Sequence, residues 1–475
     1  MQLTKRKKTK LLIVFILTVL CFCLIVAKSQ ILTSTQEIIV DVDRVIADFS
    51  SNPIGMNVNF LLDTESIVKL TQKLHIGSLR YPMGEIADYY LFDRNHPSKP
   101  KIAIRDSRFW LAKFTNTDGT WKNPLDFDRF IRICHAVNAE PFVVVGIDAL
   151  AYSGNSPHAA SDEILQAAVD WVEYANMIKG YSVKYWEIGN ENDIPDDRLN
   201  WTAEKYAKAV VMFSRAMKQV DPSIKIGVNG MTGMTWWDKV MPIVKDDVDF
   251  LVTHQYSSMQ NYQQWHSNTW NYNKNIEIAD LAIEKYNPNL KLNVTENSSF
   301  NPGQPHANNI WKMLHNFEMM GNTLLFGRLE YLHFWISQWF SHNPYISDAS
   351  LFSQNYELMP MAYSLRIWGT FIHQQMISTV NQTGNIRSWA SYDPINKSLS
   401  IFLLNKEQQA QKVVVKIKNY GRAEKIKKLV LYGNSPYVVE PIWQQINNHK
   451  LFRKSKVFLK LKPLSITVID ENLNS

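Results

Sequence analysis

From residue 52 onward, short apolar runs alternate with longer amphipathic stretches, which is the alternation a βαβ architecture requires. Eight of the runs read as strands: IGMNVNF, IGSLRYP, PFVVVGI, VKYWEIG, IKIGVNG, DFLVTHQY, KLNVTE and LEYLHFWIS. Between them, SIVKLTQKL, DFDRFIRICHAV, EILQAAVDWVEYANMI, AEKYAKAVVMFSRAMKQV, IEIADLAIEKY and ANNIWKMLHNFEMM set apolar residues at i, i+3, i+4 and i+7, the helical spacing. Eight parallel strands with helical crossovers close most economically into a (β/α)8, or TIM, barrel, so the chain reads as an α/β protein with its barrel over residues 52–375. A last barrel helix is expected near residues 361–375. Beyond it the period falls to two in IRSWASYD, LSIFLLN, KVVVKIKN, KKLVLYG, VFLKLK and SITVIDE, predicting an antiparallel β-sandwich over residues 376–475. The early strand of residues 36–50 is expected to join that sandwich. Residues 84–122, with their Pro, Asn and Asp, are too many for an ordinary connection and are expected on the rim of a site.

Composition adds three constraints. The chain has 475 residues, enough for a barrel core and a smaller second domain. Its 12% aromatic content, with 15 Trp and 20 Tyr, exceeds what a core needs and offers faces for stacking on sugar rings. The opening MQLTKRKKTK followed by apolar residues 11–27 suits a signal peptide or a membrane anchor over residues 1–29. Lys28 and Gln30 make a poor cleavage site around Ala27 or Ser29, so both forms stay open; an uncleaved anchor would keep Lys5, Arg6, Lys7, Lys8 and Lys10 in the cytoplasm. Either form exports the body, which is then secreted, periplasmic or anchored. Cys21 and Cys23 lie in that leader, leaving Cys134 alone in the body and no internal disulfide. The net charge of +7 owes part to the leader, and no later Lys/Arg cluster is interleaved with aromatics, so no nucleic-acid partner is expected. EKIKKLVLYG reads as the solvated face of a strand.

In a barrel of this kind catalytic groups stand at the C-terminal ends of strands. Two carboxylates qualify: Glu191 closes the fourth strand in VKYWEIGNEND and Glu296 closes the seventh in KLNVTENS. Glycoside hydrolysis with retention uses one carboxyl group kept protonated beside the leaving oxygen and one kept ionised beneath the anomeric carbon, ~5–5.5 Å apart. The charge on Glu296 is expected to raise the pKa of Glu191 and so suit it to be the acid/base, with Glu296 the nucleophile. Glu187, inside the strand, suits an inter-strand bonding role. No HExxH or cysteine-rich ligand set is present, so neither metal nor cofactor is expected.

WEIGNE, with Asn before the acid/base Glu, resembles the signature of clan A glycoside hydrolases, whose catalytic residues sit on strands four and seven. Within the clan the chain most resembles the α-L-arabinofuranosidases of glycoside hydrolase family 51, through LRYPMGE, DWVEYAN, DPSIKIGVNG, HQY and LKPLSITVID, over residues 39–471. The resemblance implies that Asn190 bonds the sugar 2-hydroxyl, Arg80 orients and ionises the nucleophile, His254 and Tyr256 flank Glu296, and Trp335 offers a sugar platform. It also marks departures in the sugar-reading pocket: Met83 where a second Gly is usual, Glu85 for Asn, Asn59 for Glu, and Asn297 for Trp after the nucleophile. Reaction type is therefore more secure than substrate. The expected activity is a retaining glycosidase on terminal sugars, arabinofuranosides first. A β-xylosidase, a β-glucuronidase or an endo-glycanase remains open, as do a catalytically silent carbohydrate-binding surface protein and a structural envelope protein. Carboxyls ~5 Å apart with access to solvent favour an enzyme and a separation beyond ~10 Å the silent protein, while an envelope protein predicts no cleft.

Overall fold

The structure is a computed structural model and describes residues 35–105, 113–257, 259–267, 273–299, 308–339, 350–381, 385–420, 426–448, 452–453 and 455–470. The basic and apolar leader lies outside the described residues, as does part of the 84–122 rim segment, residues 106–112. No helix among the described residues is long and apolar enough to cross a membrane.

The chain begins with β1 (Gln36–Asp48) and then enters the barrel with β2 (Ile54–Asn57) and β3 (Ser78–Tyr81). A small hairpin, β4 (Tyr90–Leu91) and β5 (Lys101–Ile102), decorates the rim segment. The barrel continues through β6 (Glu140–Val145), β7 (Tyr185–Ile188), β8 (Lys225–Asn229), β9 (Phe250–Tyr256), β10 (Lys291–Ser298) and β11 (Leu329–Phe334). These eight close in the order β10-β11-β2-β3-β6-β7-β8-β9, all parallel, and coincide with the eight apolar runs read from the sequence. Helix ends follow capping chemistry: Asp126 accepts from the Arg129 amide at 2.9 Å to start Phe127–Val137, and Thr202 accepts from the Lys205 amide at 3.1 Å to start Ala203–Val220. Two α-helices among the described residues escaped the pattern reading. Met234–Val244 carries Pro242 within it, and Tyr262–Ser267 is too short for a periodic signal.

Inside the barrel, the floor is a stack of rings, with Phe142 and Tyr185 5.5 Å apart and near-parallel, joined by Phe250 and Tyr331. Above it sit polar groups. Gly55 leaves room there: a Cβ on it would stand 2.3 Å from His333, whose ring nitrogen lies 2.8 Å from the Ser78 hydroxyl. Apolar floor and polar upper layer together make the barrel solid and leave chemistry only at its C-terminal mouth.

The second domain is a sheet of ten strands. After the helix Pro360–Phe371 come β12 (Gln375–Asn381), β13 (Ile386–Asp393), β14 (Ser398–Asn405), β15 (Gln411–Lys418), β16 (Ile426–Tyr432), β17 (Ile442–Asn448), β18 (Phe452–Arg453), β19 (Lys456–Leu461) and β20 (Ser465–Asp470). Their order is β17-β16-β20-β14-β13-β12-β1-β15-β19-β18. β1 lies between β12 and β15, antiparallel to the first and parallel to the second, so one pairing departs from the all-antiparallel expectation. Ile38 and Val40 of β1 share an apolar cluster with Leu399, Ile401 and Leu403 of β14, Val413 of β15 and Val457 of β19, which fixes the early strand to the C-terminal sheet.

Candidate active site

The sharp turn that ends β7 sets the first carboxylate. Gly189 has φ +76°, and a Cβ there would meet the Asn192 side chain at 1.9 Å, so both the backbone conformation and the space call for glycine. Glu191 itself takes the left-handed φ of +51°, uncommon for a residue with a side chain. The turn is pinned from below. The Asn192 amide donates to Asn229 Oδ1 at 3.2 Å, Asn192 Nδ2 donates to Asp148 Oδ1 at 2.8 Å, and Asn229 Nδ2 donates to Asn192 Oδ1 at 3.0 Å. Asp193 holds the neighbouring loop by accepting from the amides of Met231 and Thr232.

The second carboxylate, Glu296, is buried at the end of β10 and touched from three sides. Arg80 Nη1 donates to its Oε1 at 2.9 Å, the Tyr256 hydroxyl donates to its Oε2 in a short bond, and His254 Nδ1 lies 3.6 Å from that same oxygen. His254 Nδ1 also stands 2.8 Å from Glu191 Oε1, while its Nε2 lies 3.1 Å from the Thr295 hydroxyl. One oxygen of each glutamate and the imidazole nitrogen between them all fall within 4.8 Å of one another. The two carboxyls are therefore near neighbours, Glu296 buried and the Glu191 side chain 31% exposed, close enough to suit a retaining pair.

Arg80, fully buried, is the hub of the layer beneath. Its five N–H bonds go to both oxygens of Glu187 (Nε at 3.0 Å, Nη2 at 2.9 Å), to Asn57 and Glu296 from Nη1, and to Asn190 Oδ1 from Nη2 at 2.9 Å. Glu187 thus serves as the inter-strand partner expected of it. Asn57 in turn donates to the carbonyls of Thr295 and Phe334, tying the first strand to the seventh and eighth.

Burial dominates the acid–base balance. It pushes Glu191 up to about 7, opposed by Arg80 and helped by Asp193 and Glu85. The sequence reading assigns this rise to the Glu296 charge; in the structure it comes from removal from water, although the Glu191 side chain keeps 31% exposure. Burial also raises Glu296, against the pull of His254, Arg80 and the Tyr256 hydroxyl. His254 is lowered by burial, with the Glu296 charge opposing the shift.

The remaining residues singled out from the sequence divide. Trp335 is buried beside Glu296: a Cβ on Gly84 would sit 2.2 Å from Glu296 Oε1 and 3.0 Å from the Trp335 ring, so Gly84 lets the backbone approach both. Its ring also meets Trp339 at 5.8 Å. Glu85 follows Gly84 at the start of the 3-10 helix Glu85–Tyr89 and acts on the site through its charge. Asn59 lies deeper. Its side-chain amide is engaged with the Gln338 carbonyl at 2.8 Å and the Leu61 amide at 3.0 Å, so it braces the loops after β2 and β11 instead of facing the opening. Met83, standing where the resembled enzymes have glycine, has φ +125°, a conformation glycine takes without strain. Asn57, Asp88, Asp148, Asn192 and Thr295 were not singled out; the polar Asn57 inside the apolar run IGMNVNF was the available signal. Among the described residues, Glu191, His254 and Glu296 form the group whose atoms are close enough to hold a metal ion.

The sequence profile of the alpha-L-arabinofuranosidase 1 domain matches residues 71–276. The chain is similar to the probable alpha-L-arabinofuranosidase C of Aspergillus fumigatus, 27% identical over 208 residues, which cover 39% of this chain and 35% of that protein. It is also similar to an intracellular exo-alpha-(1->5)-L-arabinofuranosidase of Acetivibrio thermocellus, 25% identical over 218 residues covering 40% of this chain and 38% of that protein. The chain thus spans a little over a third of the length of these curated relatives. The fold as a whole is similar to the alpha-L-arabinofuranosidase of Thermotoga maritima, solved with arabinose, at TM-score 0.69 and 18% identity over 92% of this chain and 99% of that one. A family 51 alpha-L-arabinofuranosidase of Bifidobacterium longum superposes at TM-score 0.71 and 15% identity, over 92% and 100%. The barrel with an appended sheet domain is the fold these structures share with it.

Proposed function

We propose that the chain is a retaining glycoside hydrolase of the α-L-arabinofuranosidase type, exported through its basic and apolar leader and acting on terminal sugars of oligosaccharide or polysaccharide fragments. The observation that carries the proposal is the pair Glu191 and Glu296, at the ends of β7 and β10, with one carboxyl oxygen of each within 4.8 Å of the other. A silent binding protein has no need of such a pair. The sequence similarity supports the arabinofuranoside as first choice of sugar.

The chemistry follows from the contacts. Glu296 attacks the anomeric carbon as the bond to the leaving oxygen breaks, and Glu191 gives its proton to that oxygen. The sugar is then an ester of Glu296, and the ionised Glu191 takes a proton from water, which attacks the same carbon and frees the Glu296 carboxylate. Arg80 and Tyr256 hold Glu296 by one oxygen each, fixing its plane against the sugar. Arg80 also takes the Asn190 oxygen, so the amide offers Nδ2 to a sugar hydroxyl, a bond that strengthens as the anomeric carbon gains charge.

The test is turnover of 4-nitrophenyl α-L-arabinofuranoside beside other nitrophenyl glycosides. The wild type should release nitrophenol fastest from the arabinofuranoside, and Glu296→Ala should lose at least ~10³-fold in kcat. Turnover undiminished in Glu296→Ala would overturn the mechanism; a faster rate on the β-xyloside would move the substrate and leave the mechanism in place.

A further inference from the structure

The backbone that carries Glu296 stays tied down past the point where it leaves the barrel sheet. β10 ends at Ser298, and the next three carbonyls after Glu296 are each taken by a different element. Asn297 accepts from the Trp335 amide at 3.1 Å and Ser298 from the Ser257 amide at 3.2 Å, two donors that directly follow β11 and β9. Ser299, already outside the strand, accepts from Lys312 Nζ in a short bond. Both Lys312 and Ser299 are fully buried. Lysine is rarely found so deep, and a bond from an ammonium is stronger than one from an amide, so the third tie is the firmest of the three.

Lys312 lies in the first turn of the helix Ile310–Thr323, and the start of that helix is completed by the sheet domain. The first amides of a helix find no acceptor within it. Here Ile310 donates to the Val438 carbonyl and Trp311 to the Pro436 carbonyl, both at 3.0 Å, in the connection between β16 and β17, while Asn309 caps the Lys312 amide at 3.2 Å. The two surfaces are in close contact: a Cβ on Gly433, the first residue of that connection, would stand 2.4 Å from Ile310 Cγ1. Further along the helix, Glu318 accepts from Arg387 Nε of β13 at 2.9 Å and from Lys406 Nζ, just past β14, at 3.1 Å. The sheet domain thus grips at two places the helix whose lysine holds the end of the Glu296 strand.

We infer that Lys312 is a positioning residue for Glu296, and that the sheet domain, by completing the start of the helix that carries Lys312, fixes where the nucleophile stands. The inference rests on the glycosidase reading and deepens it, because a displacement of ~1 Å at the reacting group can cost about a hundredfold in rate.

The test compares the full-length wild type with Lys312→Met, Gly433→Ala, Ile310→Ala and the pair Gly433→Ala/Ile310→Ala, in nitrophenyl arabinofuranoside kinetics well below each melting temperature. Lys312→Met keeps the apolar stem and removes the ammonium. Its kcat should fall at least ~tenfold while KM stays within about threefold, since no contact to the sugar is lost. Gly433→Ala presses on Ile310, whose branched side chain cannot swing aside, and should lower kcat in the same sense from outside the barrel. In the pair the obstruction is gone, and kcat should return to that of Ile310→Ala alone. A purely structural role would lower the melting temperature and leave the kcat of folded enzyme as it was; that result in Lys312→Met or in Gly433→Ala would overturn the inference, as would a Gly433→Ala defect that Ile310→Ala does not relieve. Should Lys312→Met fail to fold, Gly433→Ala and the pair decide alone. A wild type that hydrolyses none of the nitrophenyl glycosides would bring down the glycosidase reading itself.

Discussion

Arg80 offers the sharpest separation of structural from chemical roles, because its two faces serve different partners. One face holds both oxygens of Glu187, which is fully buried; the other reaches Glu296 and Asn190. In Arg80→Leu, Glu187 loses its counter-charge in a dry interior, and breaking a buried pair of this kind costs ~3–5 kcal/mol, a large part of a typical stability of ~5–15 kcal/mol. The same change removes a charge-assisted bond to the nucleophile, worth ~1.5–3 kcal/mol, or about ten- to a hundredfold in kcat/KM. Removing Glu187 as well, in Arg80→Leu/Glu187→Leu, eliminates the orphaned charge and should return most of the lost stability, since a buried ion pair replaced by apolar groups of similar volume is often neutral. It should return none of the activity. Urea denaturation followed by fluorescence, with 15 Trp as reporters, measures the first quantity; nitrophenyl glycoside kinetics measure the second. Activity recovering in step with stability would refute the reasoning, because Arg80 would then act only by supporting the fold.

Two further outcomes follow from the same contacts. Glu191 must carry a proton to assist the leaving group, and burial lifts its pKa from 4.5 to about 7, so the protonated form persists up to that pH and kcat/KM should fall about tenfold per unit above it; Glu191→Gln should abolish this alkaline limb, and a limb that survives the substitution would assign it to another group. The cluster of Glu191, His254 and Glu296 has the nitrogen and oxygen donors that zinc prefers at ~2.0–2.2 Å, and so Zn(II) should inhibit competitively, in a manner EDTA reverses, with calorimetric zinc binding lost in His254→Asn; zinc binding unaltered in that variant would place the ion elsewhere.

The barrel was legible because each of its strands is an apolar run between amphipathic helices, a contrast that survives in a single sequence. What escaped had no such contrast. QMISTVN, now β12, follows the last barrel helix so closely that the helical pattern runs on over its first residue, whereas the chain leaves the helix at Phe371 and is extended by Gln375. IWQQINN, now β17, is too polar to stand out: it pairs with β16 at the end of the sheet, and its residues Ile442, Gln444 and Gln445 are exposed. The parallel contact of β1 with β15 joins Gln36 to Val413, from opposite ends of the chain, and no local pattern encodes it.

The site divides along the same line, between what one strand dictates and what several strands assemble. Glu191 and Glu296 could be found because each ends an apolar strand, where a carboxyl group has nothing to pack against and must look into the mouth. Asn57 and Asn59 share the run IGMNVNF and alternate with apolar neighbours in the same way, yet Asn57 bonds Arg80 while Asn59 turns to Gln338 and the Leu61 amide. The strand ends at Asn57, so the period of two that would set both on one face ceases to apply beyond it. The segment around Asp88 was hidden for a related reason: it stands between strands, where the sequence cannot supply its exposure, and only the packing of Gly146 against Ala87 and Asp88 shows it to be buried on the end of β6. Two of the four positions at which this chain departs from the enzymes it resembles, Met83 and Glu85, belong to the same segment, while Asn59 follows β2 and Asn297 lies at the end of β10. The proposed carboxyl pair could therefore be read from two strand ends, whereas the groups around it are assembled from several segments and had to be argued from contacts.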